Sequence, residues 1–200
     1  MSKMKEITGR PSVKQLEAAL SRERRRQKFR RGFWSAIKAL IVIAAIVTLT
    51  VTYLLPILYM EGSDMDPAIK DGEVIVFITA GSIRRGDIIA FNYGGQKCIK
   101  RVIAVPGDIV GIGDDGGISL NGEVLTEPYA SGQNPGGPAQ GLPREIQSGQ
   151  YFVAGDDRQI SIDSRYAEIG DISEAQVIGK ALLRVWPPDR LGFIWPGFVW

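Results

Sequence analysis

Residues 39–60, ALIVIAAIVTLTVTYLLPILYM, run for 22 positions without a charge. At about 1.5 Å per residue, a helix of that length crosses roughly 30 Å of hydrocarbon. A core helix this long would carry a polar stripe, but only Thr48, Thr50 and Thr52 interrupt the run. A cleaved signal peptide has an apolar core of about 7–15 residues followed by a small-residue cleavage site. Here the run leads into Tyr53-Leu54-Leu55-Pro56, with no small-x-small site. The stretch predicts an uncleaved transmembrane helix over residues 39–60. It divides the chain into a tail, residues 1–38, and an outer domain, residues 61–200.

Charge sets the direction of the span. Residues 1–38 hold twelve Lys/Arg against three Asp/Glu, and the remainder holds twelve against nineteen, so the net charge of +2 hides a polarised chain. Positive charge beside a span stays cytoplasmic. The N-terminus is therefore expected inside and residues 61–200 outside. The run RERRRQKFRR at residues 22–31 reads as a topology determinant beside anionic lipid rather than a nucleic-acid site. Residues 11–31 are compatible with a basic helix on the membrane surface. The C-terminal aromatics Trp186, Phe193, Trp195, Phe198 and Trp200 suit a membrane interface, with core packing an equal alternative for Trp186.

The chain has no histidine and a single cysteine, Cys98. An internal disulfide, a Ser-His-Asp triad and a His/Cys metal site are excluded, and no cofactor is expected. Any catalytic base must be Lys, Asp or Glu. After Glu61, short β-rich runs lie between Gly, Asp and Pro. Strands are predicted over residues 73–78, 87–93, 97–105, 108–113, 149–156 and 179–186. Residues 116–125 read as a hairpin turning at Asn121-Gly122. Residues 129–143, rich in Gly and Pro, read as a loop. The expected fold class is mainly β, one transmembrane helix followed by a barrel-like coiled sheet.

Three stretches concentrate chemistry. The first is GSDMDP, residues 62–67. The second is the apolar strand CIKRVIAVPGD, residues 98–108. By alternation, Lys100 shares a face there with Cys98, Val102 and Ala104, and Arg101 shares the other with Ile99 and Ile103. One of the two cations is expected to face the core. A desolvated lysine loses its proton more easily and serves as a general base; an edge-strand lysine reaching water is the plainer reading. Cys98 beside it reads as a small buried hydrophobe. The third stretch, GDDRQISIDSR at residues 155–165, reads either as an ion-paired loop or as the group that holds a buried lysine.

In this order and behind an N-terminal anchor, the three stretches resemble the type I signal peptidase family. The family's nucleophile box, Gly-x-Ser-Met-x-Pro, is matched by Gly62, Met65 and Pro67, with Asp64 at the serine. Its Lys-Arg-Val-x-x-x-Pro-Gly-Asp box matches throughout residues 100–108. Its Gly-Asp-Asn-Arg-x-x-Ser-x-Asp-Ser-Arg box matches at Gly155, Asp156, Arg158, Ser161, Asp163, Ser164 and Arg165, with Asp157 replacing Asn. The resemblance implies a Ser/Lys dyad that cuts signal peptides of exported precursors after small residues at the outer membrane face. It makes Lys100 the general base, Ser161 the hydroxyl that orients it, and Asp163 and Arg165 the brace.

Asp64 works against that mechanism. A carboxylate is a weak nucleophile toward an amide, and its acyl product would be an anhydride. A carboxylate beside a lysine also stabilises the ammonium form, so an Asp64–Lys100 ion pair is expected. Ser63 would substitute only through a bulge, since adjacent residues of an extended chain face opposite ways. Three readings follow. One is a pseudoenzyme that binds precursors or assists assembly of surface structures such as pili. Another is an active peptidase using Ser63. The third is a membrane-tethered β scaffold. Expected partners are signal peptides or precursors and the lipid bilayer, with pilus or surface-assembly proteins under the first reading and no nucleic acid.

Overall fold

The computed structural model describes residues 13–132 and 142–197. They fall into two compact units that divide between Thr50 and Val51. Part of the expected loop, residues 133–141, and the aromatics Phe198 and Trp200 lie outside the described residues.

The first unit is built by helix α1 (Val13–Leu54), whose last turn, from Val51, counts with the second. Its segment Lys28–Leu54 is long and apolar enough to cross a membrane. The threonines that interrupt the apolar run turn back on the helix: the Thr48 and Thr50 hydroxyls donate to the Ala44 and Ile46 carbonyls at 2.9 and 2.8 Å. Each hydroxyl is thereby satisfied without water, as hydrocarbon requires. No proline lies between Pro11 and Pro56, so the basic stretch and the apolar span form one continuous helix rather than two elements. The expected helix end at residue 60 is corrected. The helix stops at Leu54 because Leu55 precedes Pro56, which disfavours helical backbone, and Ile57–Tyr59 form a strand instead.

The second unit carries twelve strands among the described residues. They are β1 (Ile57–Tyr59), β2 (Val74–Ile78), β3 (Ile88–Tyr93), β4 (Gln96–Ala104), β5 (Ile109–Ile112), β6 (Ile118–Leu120), β7 (Glu123–Val124), β8 (Arg144–Glu145), β9 (Gln150–Ala154), β10 (Ile172–Ser173), β11 (Val177–Trp186) and β12 (Gly192–Phe193). The larger sheet has the order β1-β2-β11-β3-β4-β9-β10, with β12 added to β11. The smaller runs β7-β6-β5-β8. The mainly β expectation holds, but the barrel does not close: β1 and β10 remain edges of the larger sheet. The β6–β7 hairpin turns at Asn121 and Gly122, with φ of 55° and 92°, the left-handed pair a two-residue hairpin needs.

β4 is the central strand for the site. It contributes Ile99 to a core with Met65, Ile69 and Phe77, Ile103 and Ala104 to one with Phe152 and Ile146, and Val102 to one with Phe91 and Val153. Both faces of the strand are covered, so Lys100 and Arg101 are both buried, not one of them. Pairing with β9 shifts register between Val102 and Ala104. The bulge at Ile103 turns Ala104 away from the face of Lys100 and Val102, against simple alternation.

Candidate active site

Residues 62–67 form a turn rather than an extended strand. Asp66 N donates to Ser63 O at 3.0 Å, and Ile69 N donates to Met65 O at 2.9 Å. Gly62 enters the turn at φ 90°, a left-handed value that favours glycine, and its N–H is held by Asp71 Oδ1 at 2.8 Å. Met65 anchors the turn in the core, while Ser63 and Pro67 are exposed. The turn directs Asp64 to Lys100 and leaves Ser63 in solvent.

Lys100 Nζ forms an ion pair with Asp64 Oδ2. It also donates to Ser161 Oγ at 2.8 Å, and Ser161 Oγ donates to Asp163 Oδ2 at 2.7 Å. Asp163 further accepts from Gly155 N at 2.9 Å and from Arg165 Nε at 2.8 Å. Burial pushes the Asp163 carboxyl up, but the Arg165 guanidinium, with Gly155 N–H and the Ser161 hydroxyl, holds it below the ordinary carboxylate range. The result is a continuous chain of contacts, Asp64–Lys100–Ser161–Asp163–Arg165. The other carboxylate oxygen of Asp64, Oδ1, is buried without a hydrogen-bond partner among the described residues.

Gly155 is there because nothing larger fits. A Cβ at this position would lie 2.2 Å from Ser161 Oγ and 2.5 Å from the Asp64 carbonyl. Asp157, the Asn of the resemblance, contributes its backbone N–H to Asp64 O at 3.1 Å. Ser164 Oγ accepts from Val153 N at 3.0 Å and ties the loop to β9. Behind Lys100, Arg101 grips Asp156 with Nε and Nη2 at 2.7 and 2.6 Å. Burial nevertheless raises the Asp156 carboxyl against the pull of Arg101. Arg158 pairs outside its own loop, with Glu127, at 2.6 Å. Glu127 was not anticipated from sequence. Asp156 and Asp163 pair with Arg101 and Arg165, so Arg158 draws its partner from outside the loop, and no local sequence signal pointed to Glu127.

Asp64 and Lys100 open on a groove of about 850 Å3. Its walls include Ile57, Tyr59, Cys98, Ile99, Ile160 and Ile162. Ile57, Tyr59, Ile160 and Ile162 are exposed large apolar side chains; sequence reasoning passed over them because isolated surface isoleucines are ordinary. β1 is a sheet edge, and the pairing of β4 with β9 begins only at Arg101. Two backbone edges therefore flank the groove, as strand addition by a peptide requires. Cys98 is half-buried in this wall, and burial pushes its thiol up. Trp186, Leu191, Phe193 and Trp195 are exposed, and the Phe193 and Trp195 rings lie 6.4 Å apart. Trp186 is thus surface, not core.

Comparison with known proteins gives one answer. The family model described as "Signal peptidase, peptidase S26" matches residues 33–186. The signal peptidase I of Bacillus licheniformis is 34% identical over 169 residues, covering 78% of this chain and 89% of that protein. Signal peptidase IB of Staphylococcus aureus (strain COL) is 36% identical over 148 residues, covering 64% and 76%. A crystal structure of a signal peptidase I from Enterococcus faecalis V583 shares 32% identity, covers 51% of this chain and 98% of that one, and superposes with a TM-score of 0.42.

Proposed function

The chain belongs to the signal peptidase family, peptidase S26, and from that premise we propose that it holds signal-peptide segments of exported precursors in its groove without cutting them. The observation that carries this reading is the Asp64–Lys100 ion pair. The base position is filled by a lysine bound to a carboxylate, and no hydroxyl stands where the nucleophile belongs. An ammonium has no lone pair with which to take a proton, and Asp64 offers no good acyl intermediate. The groove supports the binding half of the reading: apolar walls suit the small and apolar side chains of an extended export signal, and free strand edges suit its backbone.

The N-terminal apolar helix and the family place the protein at a membrane. In this proposal residues 1–38 lie in the cytoplasm and residues 61–200 outside, with Trp186, Phe193 and Trp195 resting in the interface. Pilus or surface-assembly proteins enter as one class of ligand carrying such segments; nothing in the groove selects them. A second reading, active cleavage through Ser63, draws on the intact Lys100–Ser161 contact.

The test is cleavage and binding of a precursor with an Ala-x-Ala site by the full chain in detergent, beside Asp64→Ser, Lys100→Ala and Ser63→Ala. The proposal expects a wild type that binds and does not cut, and an Asp64→Ser variant that cuts. Cleavage by the wild type that Ser63→Ala abolishes would establish the second reading. A protein that neither binds nor cuts in any variant is a membrane-tethered scaffold.

A further inference from the structure

The segment that follows the β6–β7 hairpin has no place in the chemistry described above, yet it touches all three site-bearing stretches. Glu127 receives both terminal nitrogens of Arg158, at 2.7 and 2.6 Å. The Tyr129 hydroxyl donates to the same carboxylate at 2.6 Å. The Tyr129 ring lies under the Arg101 guanidinium, 4.2 Å from its carbon to the ring centre. Ser131 pairs with the 155–165 loop through its backbone: its N–H donates to Asp156 O, and its carbonyl accepts from Arg158 N, both at 2.8 Å. Its hydroxyl reaches the Asp66 carbonyl of the Asp64 turn at 3.5 Å.

The contacts continue inward. Arg158, gripped by Glu127, donates Nε to the Gly155 carbonyl at 3.0 Å. Gly155 is the residue packed against both Ser161 Oγ and the Asp64 carbonyl. Arg101 is the chain neighbour of Lys100, and its remaining nitrogen is fixed on Gly86 O at 2.9 Å. Arg165 also donates to the Arg158 carbonyl at 3.0 Å. Both guanidiniums that the strap holds are buried, as is the Glu127 side chain. A buried cation keeps its place only while its partners do.

We infer that residues 127–131 are a strap that sets the geometry of the site, with Glu127 and Tyr129 as positioning residues for Lys100. Among the described residues their side-chain hydrogen bonds and ring contacts go to Arg158, Arg101 and each other. They act through Arg158 on Gly155 and through Arg101 on β4. The inference stands whether the groove holds precursors or not, because it concerns the burial of Lys100 rather than any ligand.

The readout is the rate at which an amine-acylating reagent modifies Lys100 in the folded full chain in detergent, measured by peptide mass spectrometry with exposed Lys97 as internal reference. Lys100 is buried and paired, so it reacts slowly in the wild type. Glu127→Ala is expected to raise the Lys100 rate at least about tenfold relative to Lys97, since a hydrogen-bonded charge is lost. Tyr129→Phe, which keeps the ring and removes only the hydroxyl, is expected to raise it less. Arg144→Ala is the control: it breaks an ion pair with Asp171 elsewhere in the domain, lowers Tm and should leave Lys100 protected. Should Glu127→Ala fail to fold, Tyr129→Phe decides alone. Protection of Lys100 unchanged in the folded strap variants, or equal exposure in Arg144→Ala at equal loss of Tm, overturns the inference.

Discussion

A carboxylate at position 64 changes what each neighbouring atom can do. Oδ2 occupies Lys100, while Oδ1 is buried with no donor among the described residues. Around the lysine head, Ser161, Asp163 and Gly155 form a tight pocket. Gly155→Ala should therefore fail by overpacking. Its Cβ would meet Ser161 Oγ and a backbone carbonyl that cannot yield, and urea unfolding should show a loss of about 1–3 kcal/mol. Asp163 gives a pH signature. Its folded carboxyl lies below the ordinary range, so its network adds stability above about pH 4 that drains away as pH falls through the lower folded value. Between pH 6 and pH 3, unfolding curves of the wild type should lose more stability than those of Asp163→Asn. Cys98 offers a probe of the groove. Burial raises its thiol, so alkylation at neutral pH should be slower than for a free cysteine and slower still with a bound precursor peptide.

Among the elements, the β6–β7 hairpin was legible to the residue. Asn-Gly between alternating apolar positions leaves one good solution, and the pairs Leu120–Glu123 and Ser119–Val124 are that solution. Gly122→Ala places a Cβ at φ 92° and should lower stability by about 1 kcal/mol in thermal unfolding, with precursor binding unchanged, since the turn lies outside the groove wall. β1 was not legible. Its three residues continue an apolar run that hydropathy assigns to the membrane, and only their pairing with Val76, Ile75 and Val74 of β2 makes them a strand. β8, β10 and β12 have two residues each, too short for a periodic signal. The bulge in β4 escaped for another reason: alternation describes one strand, whereas a register shift belongs to a pair.

For the molecule as a whole, the polarised charge and the apolar helix bear on placement rather than on fold. An excess of Lys/Arg before the span argues for a cytoplasmic N-terminus. In intact cells, protease added from outside should remove an epitope fused after Trp200 and spare one fused before Met1 until the membrane is opened; the reverse pattern would invert the orientation.

The sequence by itself determined the long apolar helix, most of the strands, and the chemical identity of the three site stretches. Those properties are local: a hydropathy run, a period of two, a turn dipeptide, a spacing of side chains within eleven residues. The tertiary structure decided which atoms meet. The resemblance implied that Lys100 meets Asp64 and Ser161; the fold is what brings them together across 36 and 61 positions. Arg158 finds Glu127 31 positions away, and Lys100 and Arg101 are both buried because core packing covers both faces of β4 there. Ion pairs across such separations are set by how strands and loops pack, and no local pattern encodes that.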